Sequence, residues 1–519
     1  MDTNNFLRDK FENYEIIAGE KAVEKPEMVK FINWKEAIAI LDKHIRNGVS
    51  KIKIHGDVDV DGIGSTYIAD KFLYELGCKG RVSLCINSTK VHGVNAKHIV
   101  YFNKSSQDLV IIVDSSSNDI DYIKEFNCDV IVIDHHDVEK VNLDRLTGDT
   151  AGGKYVIVNN TVDNIEDGYK ADDRMSCGLV IYELFRVYQY VHNLSNIVEK
   201  TMLYQWVGVT LFTDSVPLDT ARNQWYIEKT VHNMDCEPGL HAIMKSISKF
   251  QCTLDKGFIQ FNLAPLFNRA IRAGYSATAL DLAVRNPGNS GCLMELKPIQ
   301  AKIQERFKEG MLEYSNYCIQ DLTNSDIAPS YYGLLATKCV EYTEKSTITY
   351  KIIKGNIAKG SFRGKYEGLD YLSKMKELVS YAQGHKKAFG FEIEQDRIHE
   401  VMSELVSIEA NKSDDTYVTA GDLLKIGKGK YHIDNMDEFK RQGLLWKLAI
   451  VNGKLSTEEA VNLIIENKNF KPSESYDKYM VYDIYGLRCI AYEELTTEVI
   501  TVYAEFTKEL KCYARNKTR

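Results

Sequence analysis

The chain is expected to fold as an α/β protein: a mostly parallel sheet flanked by helices, then smaller α/β and α+β regions. Three observations carry this expectation. Short β-branched apolar runs alternate with helical patterns through the first two hundred residues. Several of these runs end on a carboxylate, as strands do at the ligand-bearing rim of an open sheet. The length of 519 residues also exceeds what one hydrophobic core normally holds. The expected divisions are a helical extension at 1–48, the sheet domain at 49–290 and a connecting helix at 291–322. A second α/β domain at 323–408 and an accessory region at 409–519 complete them.

Taken in order, residues 1–33 carry only weak helical pattern. Trp34 to Asn47 has apolar residues at helical spacing, with Gly48 as a stop. The run Ile52–Ile54 is a strand, and it ends in His55 followed by Asp57, Asp59 and Asp61. Gly62 and Gly64 then open a helical pattern through Tyr67, Ile68, Phe72 and Leu73. Leu109–Val113, Val130–Ile133 and Tyr155–Val158 are further strands, while Ser176–Val187 and Met202–Phe212 are helices. Lys297–Met311 is a charged helix, either a bridge between domains or a solvated surface helix. Strands are expected around Thr347–Ile353, a polar linker at Asn411–Asp415, and helical then β-rich pattern to the C-terminus, notably Val499–Tyr503.

The acids matter more than the elements. Asp114 follows the second strand, Asp134-His135-His136-Asp137 closes the third, and Asp214 ends the apolar segment Trp206–Thr213. An isolated DxDxD is most simply an acidic turn in water. Repeated carboxylates at the ends of buried runs, with two adjacent histidines, point instead to metal, because such acids gain nothing from the core. Mixed imidazole and carboxylate donors suit Mn²⁺ or a similar ion, and the number of candidates fits two ions sharing a bridging carboxylate. Phosphoester hydrolysis is the reaction these parts serve best.

Composition excludes little but bounds the setting. The net charge of −8 argues against an overall basic nucleic-acid binder, while a metal-dependent nuclease can still be acidic. The eleven cysteines have no CxxC spacing, which implies a reducing, cytoplasmic compartment. No apolar run is long enough to span a membrane.

With those residues in view, GDVDVDG at 56–62, Asp114, DHH at 134–136 and TDSVPL at 213–218 resemble the four motifs of the DHH phosphoesterase superfamily. Within it the chain is most similar to RecJ-like single-strand exonucleases. MSCG at 175–178, PLFNRAIR at 265–272, SFR at 361–363 and YAQGHKKAFG at 381–390 extend the likeness, the last to the associated DHHA1 domain. The resemblance implies a DHH domain, a linker helix, a smaller DHHA1 substrate-binding domain and a role in DNA repair or recombination.

The roles that the resemblance implies are as follows. His55, Asp59 and Asp114 hold one metal; Asp61, Asp114, His135 and Asp214 hold the other; Asp57 is a ligand or near-ligand. Asp134 orients His135, and His136 contacts the scissile phosphate or the leaving oxygen. Asn268 and Arg272 contact flanking phosphates. Ser361, Arg363, Gly384 and His385 grip the strand end from the second domain, with Lys386 and Lys387 adding charge. The implied cofactors are two divalent ions, Mn²⁺ first and Mg²⁺ as the alternate. The implied activity is 5′→3′ hydrolysis of single-stranded DNA to 5′-mononucleotides. Replication or repair proteins are expected partners through the C-terminal region.

Departures from the family pattern set the rival expectations. Ser115-Ser116 replaces a Cys-Gly, Gln383 replaces a glycine, and Phe389 is expected to narrow the space for the strand end. No copy of the oligonucleotide-binding barrel is recognisable after residue 400. The same chemistry on a dinucleotide, pAp or a cyclic dinucleotide is the first rival reading. A non-catalytic DHH scaffold is the second, and an inorganic pyrophosphatase the third.

Overall fold

The computed structural model describes residues 25–409 except 88–91, 195–196, 215, 219, 232–234, 249–253, 255–257, 354 and 367–368. Beyond these it describes 430–432, 462–466, 471–475, 479–484, 487–496, 499–506 and 510–516. The expected linker Asn411–Asp415, the pattern in residues 1–24 and the helical part of the C-terminal region lie outside the described residues. Two compact units result, one spanning Lys25–Ala410 and the other containing the C-terminal strands.

The first sheet is built from β1 (Ile52–Gly56), β2 (Val82–Ile86), β3 (Leu109–Val113), β4 (Asp129–Asp134), β5 (Thr147–Asp149) and β6 (Lys154–Asn159). Its order is β2-β1-β3-β4-β6-β5, all parallel except the β5 edge. Every residue of β1, β3 and β4 is buried, as expected of strands covered on both faces. The chain runs outward from β1 to β2 and then returns to β3 on the other side of β1. That reversal opens a crevice at the carboxyl ends of β1 and β3, where open sheets bind their ligands.

Helix α1 (Trp34–Asn47) precedes the sheet, and α2 (Val60–Leu73) leaves β1 directly. Gly62, in the first turn of α2, has no room for a side chain: a Cβ there would lie 2.3 Å from the Asp57 carbonyl oxygen. This close approach folds the acidic loop back on itself. Helix α3 (Ala96–Lys104) covers the opposite face, while α4 (Cys177–Val191) and α5 (Tyr204–Thr213) pack on α2. Strand β2 escaped the sequence reading because its half-polar sequence VSLCI makes a partly exposed edge strand.

The expected charged helix is shorter than its pattern. It spans Lys297–Glu305, and residues 306–310 form a turn. Met311–Glu313 (β7) and Tyr317–Asp321 (β8) are strands of the second sheet rather than the end of a connecting helix. That sheet continues with β9 (Ser346–Ile353), β10 (Ile357–Arg363), β11 (Tyr381–His385) and β12 (Ala388–Glu394), in the order β11-β12-β10-β9-β8-β7. Phe389 does not narrow any cleft. It is 2% exposed and stacks on Phe362 at 4.8 Å inside the core of this domain, because its position on β12 faces inward.

The second unit is a seven-stranded sheet of β13 (Lys430–His432), β14 (Asn462–Glu466), β15 (Pro472–Ser475), β16 (Met480–Ile484), β17 (Leu487–Ala491), β18 (Val499–Phe506) and β19 (Leu510–Asn516). Its order is β13-β14-β18-β19-β17-β16-β15, mostly antiparallel. The expected strand at Val499–Tyr503 lies within β18 (Val499–Phe506).

Candidate metal centre and substrate cleft

The acids from separate strands meet at the β1–β3 crevice. Three overlapping groups each bring their ligand atoms within 4.8 Å of one another: Asp57, Asp59 and Asp114; Asp61, His135 and Asp214; and Asp114, His135 and His136. Asp114 belongs to two of them. It follows β3 with φ 68, a left-handed conformation uncommon outside glycine and asparagine. Its carboxylate is buried and neither oxygen has a hydrogen-bond partner. Burial, reinforced by Asp61, Asp59 and Asp57, pushes its carboxyl well above the usual range.

His135 shows how the centre is poled. Its Nδ1 lies 2.8 Å from the Met175 carbonyl oxygen, so Nδ1 carries the proton and donates it there. The lone pair of Nε2 then faces Asp114 Oδ1 at 3.2 Å and Asp61 Oδ2 at 3.9 Å. A lone pair set against two carboxylates is repulsive unless a proton or a cation lies among them. The unpartnered Asp114 oxygens make the same demand, so the donor set fits divalent cations.

Asp61 is held by the amino end of α4. Cys177 N–H donates to Oδ2 at 2.8 Å, Gly178 N–H to Oδ1 at 3.0 Å, and Ser65 Oγ to Oδ1 at 3.1 Å. Burial, with Asp214 and Asp59, nevertheless pushes Asp61 up to about 7 against the pull of His135 and the Gly178 amide. Asp59 caps α2 by accepting from Gly62 N–H at 2.9 Å.

Asp134 acts on His136 more directly than on His135. Its Oδ1 accepts from His136 Nδ1 at 2.8 Å and from the His135 and His136 amides at 2.8 and 3.2 Å. Its Oδ2 accepts from Ser117 N–H at 3.0 Å. Burial opposes both charges, but the pairing prevails: His136 is pushed up to about 10, and Asp134 is held well below the usual carboxylate range. Asn159 steadies the same loop, donating to the His136 carbonyl and to Ser117 Oγ, each at 2.9 Å.

His55 stands apart from the three groups. Its Nδ1 is 3.3 Å from Cys85 Sγ, and its ring packs against His98 and Phe102 at 5.4 and 5.5 Å. Burial, with the nearby His98 and Lys53, lowers it to about 3. Asp57 takes its place beside Asp59 and Asp114. His92 joins the site from outside the motifs, with its Nδ1 2.5 Å from Asp57 Oδ2. Nothing in its local pattern marks it. Asn223 is structural: its Nδ2 donates to the Arg174 and Pro217 carbonyls, both at 2.7 Å, fixing the loop beyond Asp214.

The second sheet approaches the centre from outside. Gly384 has φ 141, and a Cβ there would meet the Ala388 carbonyl oxygen at 2.7 Å, so the β11–β12 hairpin requires glycine. The hairpin delivers His385, whose Nε2 is 3.3 Å from Asp214 Oδ1 and whose ring lies 6.3 Å from that of His136. Lys386 reaches Asp173 at 3.4 Å. Helix α6 (Ala264–Arg272) carries Asn268 and Arg272 on one face, four residues apart. Arg363 donates to Ser361 Oγ at 2.9 Å and to the Phe362 carbonyl at 2.7 Å. Burial and the neighbouring Arg272 lower it to about 10, and among the described residues neither arginine has a carboxylate partner.

A family match falls on this fold and centre: residues 51–204 match the DHH family, N-terminal domain. The chain is similar to RecJ exonucleases in sequence and in fold. It is 23% identical over 399 residues to the single-stranded-DNA-specific exonuclease RecJ of Escherichia coli (strain K12), covering 70% of this chain and 67% of that one. It is equally identical over 415 residues to the putative SPbeta prophage-derived single-strand DNA-specific exonuclease YorK of Bacillus subtilis (strain 168), covering 71% and 67%. RecJ of Thermus thermophilus, crystallised with Mn²⁺, superposes with a TM-score of 0.64 at 18% identity, covering 96% of this chain and 74% of that one. The Mg²⁺ complex of the same protein gives 0.59 at 17% identity, covering 96% and 73%. Among the described residues no helix is long and apolar enough to cross a membrane.

Proposed function

We propose that the chain is a divalent-cation-dependent exonuclease that releases 5′-mononucleotides from the 5′ end of single-stranded DNA. The observation that carries the reading is Asp114, a buried carboxylate with two unpartnered oxygens at the junction of two donor groups. Two cations bound to these donors, Mn²⁺ preferred because imidazole joins the carboxylates and Mg²⁺ as alternate, would supply an activated water and neutralise charge at phosphorus.

The chain's own groups do the rest. Asp114 groups with Asp57 and Asp59 and also with His135 and His136, and His135 in turn groups with Asp61 and Asp214, which supports Asp114 as the shared ligand. The Asp134 ion pair keeps His136 an imidazolium at neutral pH, able to donate to a phosphate oxygen or to the leaving oxygen. Arg272 and Arg363, uncompensated and close together, suit phosphates beside the cut, with Asn268 and Ser361 as neutral donors. His385 would hold the strand end against the centre. The choice of DNA and the polarity rest on likeness to the RecJ exonucleases. The burial of Phe389 removes one reason to favour a dinucleotide substrate, a cleft narrowed by its ring.

The test is cleavage of 5′- and 3′-labelled single strands in Mn²⁺, beside matched RNA, duplex and a dinucleotide. Immediate release of labelled mononucleotide from the 5′ end, with duplex spared, is the expected result. An inert single strand beside a rapidly cut dinucleotide would overturn it.

A further inference from the structure

Edge strand β2 borders a cavity of about 840 Å³. The lining runs unbroken from Val82 to Asn87, so the cavity follows the strand along its length. Helix α3 contributes Tyr101 and Phe102, and helix α7 (Ser276–Val284) contributes Ala277 and Leu280. His55 also lines it. That residue is 2% exposed, its Nε2 has no hydrogen-bond partner, and nothing in the hydrolytic chemistry above uses it.

The polar character of this cavity is built into the sheet. Among the described strands β2 pairs only with β1. Ile52 N–H donates to the Arg81 carbonyl, which turns the main-chain groups of Arg81, Ser83 and Cys85 toward β1. By alternation the main-chain groups of Val82, Leu84 and Ile86 face away from the sheet. Arg285, clamped on Asp70 at 2.8 and 2.6 Å, reaches the Val82 carbonyl at 3.5 Å. None of the three donor groups lines the cavity, and its lining residues nearest to them in the sheet are His55 and Asn87. Asn87 stands just beyond β2 on the same rim as Asp57, and its Nδ2 donates to the Gly93 carbonyl at 3.2 Å. The residue before Gly93 is His92, in contact with Asp57.

We propose that this cavity receives the base of the nucleotide beside the scissile phosphate. The proposal rests on the phosphodiesterase reading and names a base subsite for it. A nucleobase offers what the walls demand: a flat π face for the half-exposed ring of Tyr101, and an edge of donors and acceptors for the outward amides and carbonyls of β2. All four bases have both features, so the subsite is tolerant of sequence. The size is that of a small-molecule pocket.

The test is calorimetric titration of the full chain, in Mn²⁺, with dAMP, dTMP and deoxyribose 5-phosphate. The nucleotides are expected to bind on the order of 10-fold tighter than the sugar phosphate. Ala277→Trp, at an exposed position on the cavity wall, removes that difference and leaves sugar-phosphate affinity unchanged. Thr278→Trp, exposed and outside the lining, retains it. No difference in the parent protein, or one that survives Ala277→Trp, overturns the proposal. So does capture of an extended peptide along β2, blocked by Ala277→Trp, without nucleotide discrimination. Hydrolysis of a labelled strand is followed in parallel. Base discrimination without hydrolysis retains the subsite and defeats the exonuclease reading, whereas hydrolysis without discrimination does the reverse.

Discussion

His385 Nε2, at the end of a hairpin in the second sheet, lies 3.3 Å from Asp214 Oδ1 at the carboxyl end of a helix in the first domain. The cleft is thus closed by a side chain that touches a candidate ligand yet belongs to none of the three donor groups. His385→Ala should lower kcat/KM about 10–100-fold. Mn²⁺ affinity, measured by titration calorimetry, should stay close to that of the parent protein. A large loss of metal affinity would make His385 a ligand.

Asp114→Asn separates stability from chemistry. Asparagine tolerates the left-handed backbone at this position, and the change removes a buried, unpartnered carboxyl whose ionisation burial and the neighbouring acids oppose. The metal-free variant should therefore melt a few degrees higher than the parent, by scanning calorimetry. Its hydrolytic rate should fall by about three orders of magnitude, in the range seen when an electrostatic stabiliser is lost.

Asp57 and His55 make a paired comparison. Asp57→Asn should weaken Mn²⁺ binding about 10-fold or more, because Asp57 shares a donor group with Asp59 and Asp114. His55→Gln should leave the isotherm nearly unchanged, since the ring packs on Cys85, His98 and Phe102 instead. The reverse ranking would restore His55 to the metal.

Arg272 and Arg363 present positive charge with no carboxylate partner among the described residues. Replacing either by Gln should weaken single-strand binding at every sequence and reduce the slope of log K against log salt by about 1. Fluorescence anisotropy across a salt series measures this. An unchanged slope would remove that arginine from the phosphate path.

The pH dependence follows from the raised carboxylates. Asp61 moves from an ordinary 3.8 to about 7 on folding, so the stability it contributes is fully present below 3.8 and is lost as pH rises through about 7. Cations bind the ionised form and reverse this loss. The Mn²⁺-induced rise in Tm should therefore be small near pH 4 and grow through pH 7. A rise independent of pH would break the link between Asp61 and the metal.

Much of the centre was legible because a buried β-branched run gains nothing from a terminal carboxylate. Leu109–Val113 before Asp114 and the strand before Asp134 announce a ligand rim without any knowledge of pairing. The same local logic located α1 and the strand at 346–353. It failed for β2, whose alternation is weak at a sheet edge, and at Lys297–Met311, where charge pattern outran the helix.

Only the tertiary structure decided which of these residues meet. His55 and Asp57 are two apart, yet the strand ends between them: His55 stays packed against α3, while the loop pinned by Gly62 turns Asp57 to the acids. Phe389 is buried because β12 turns it inward, and His385 reaches Asp214 because the Gly384 hairpin spans the cleft. Local sequence determines an element and the residue that ends it, through propensity and burial. Convergence of residues far apart in the chain depends on strand order and domain approach, which no local pattern encodes.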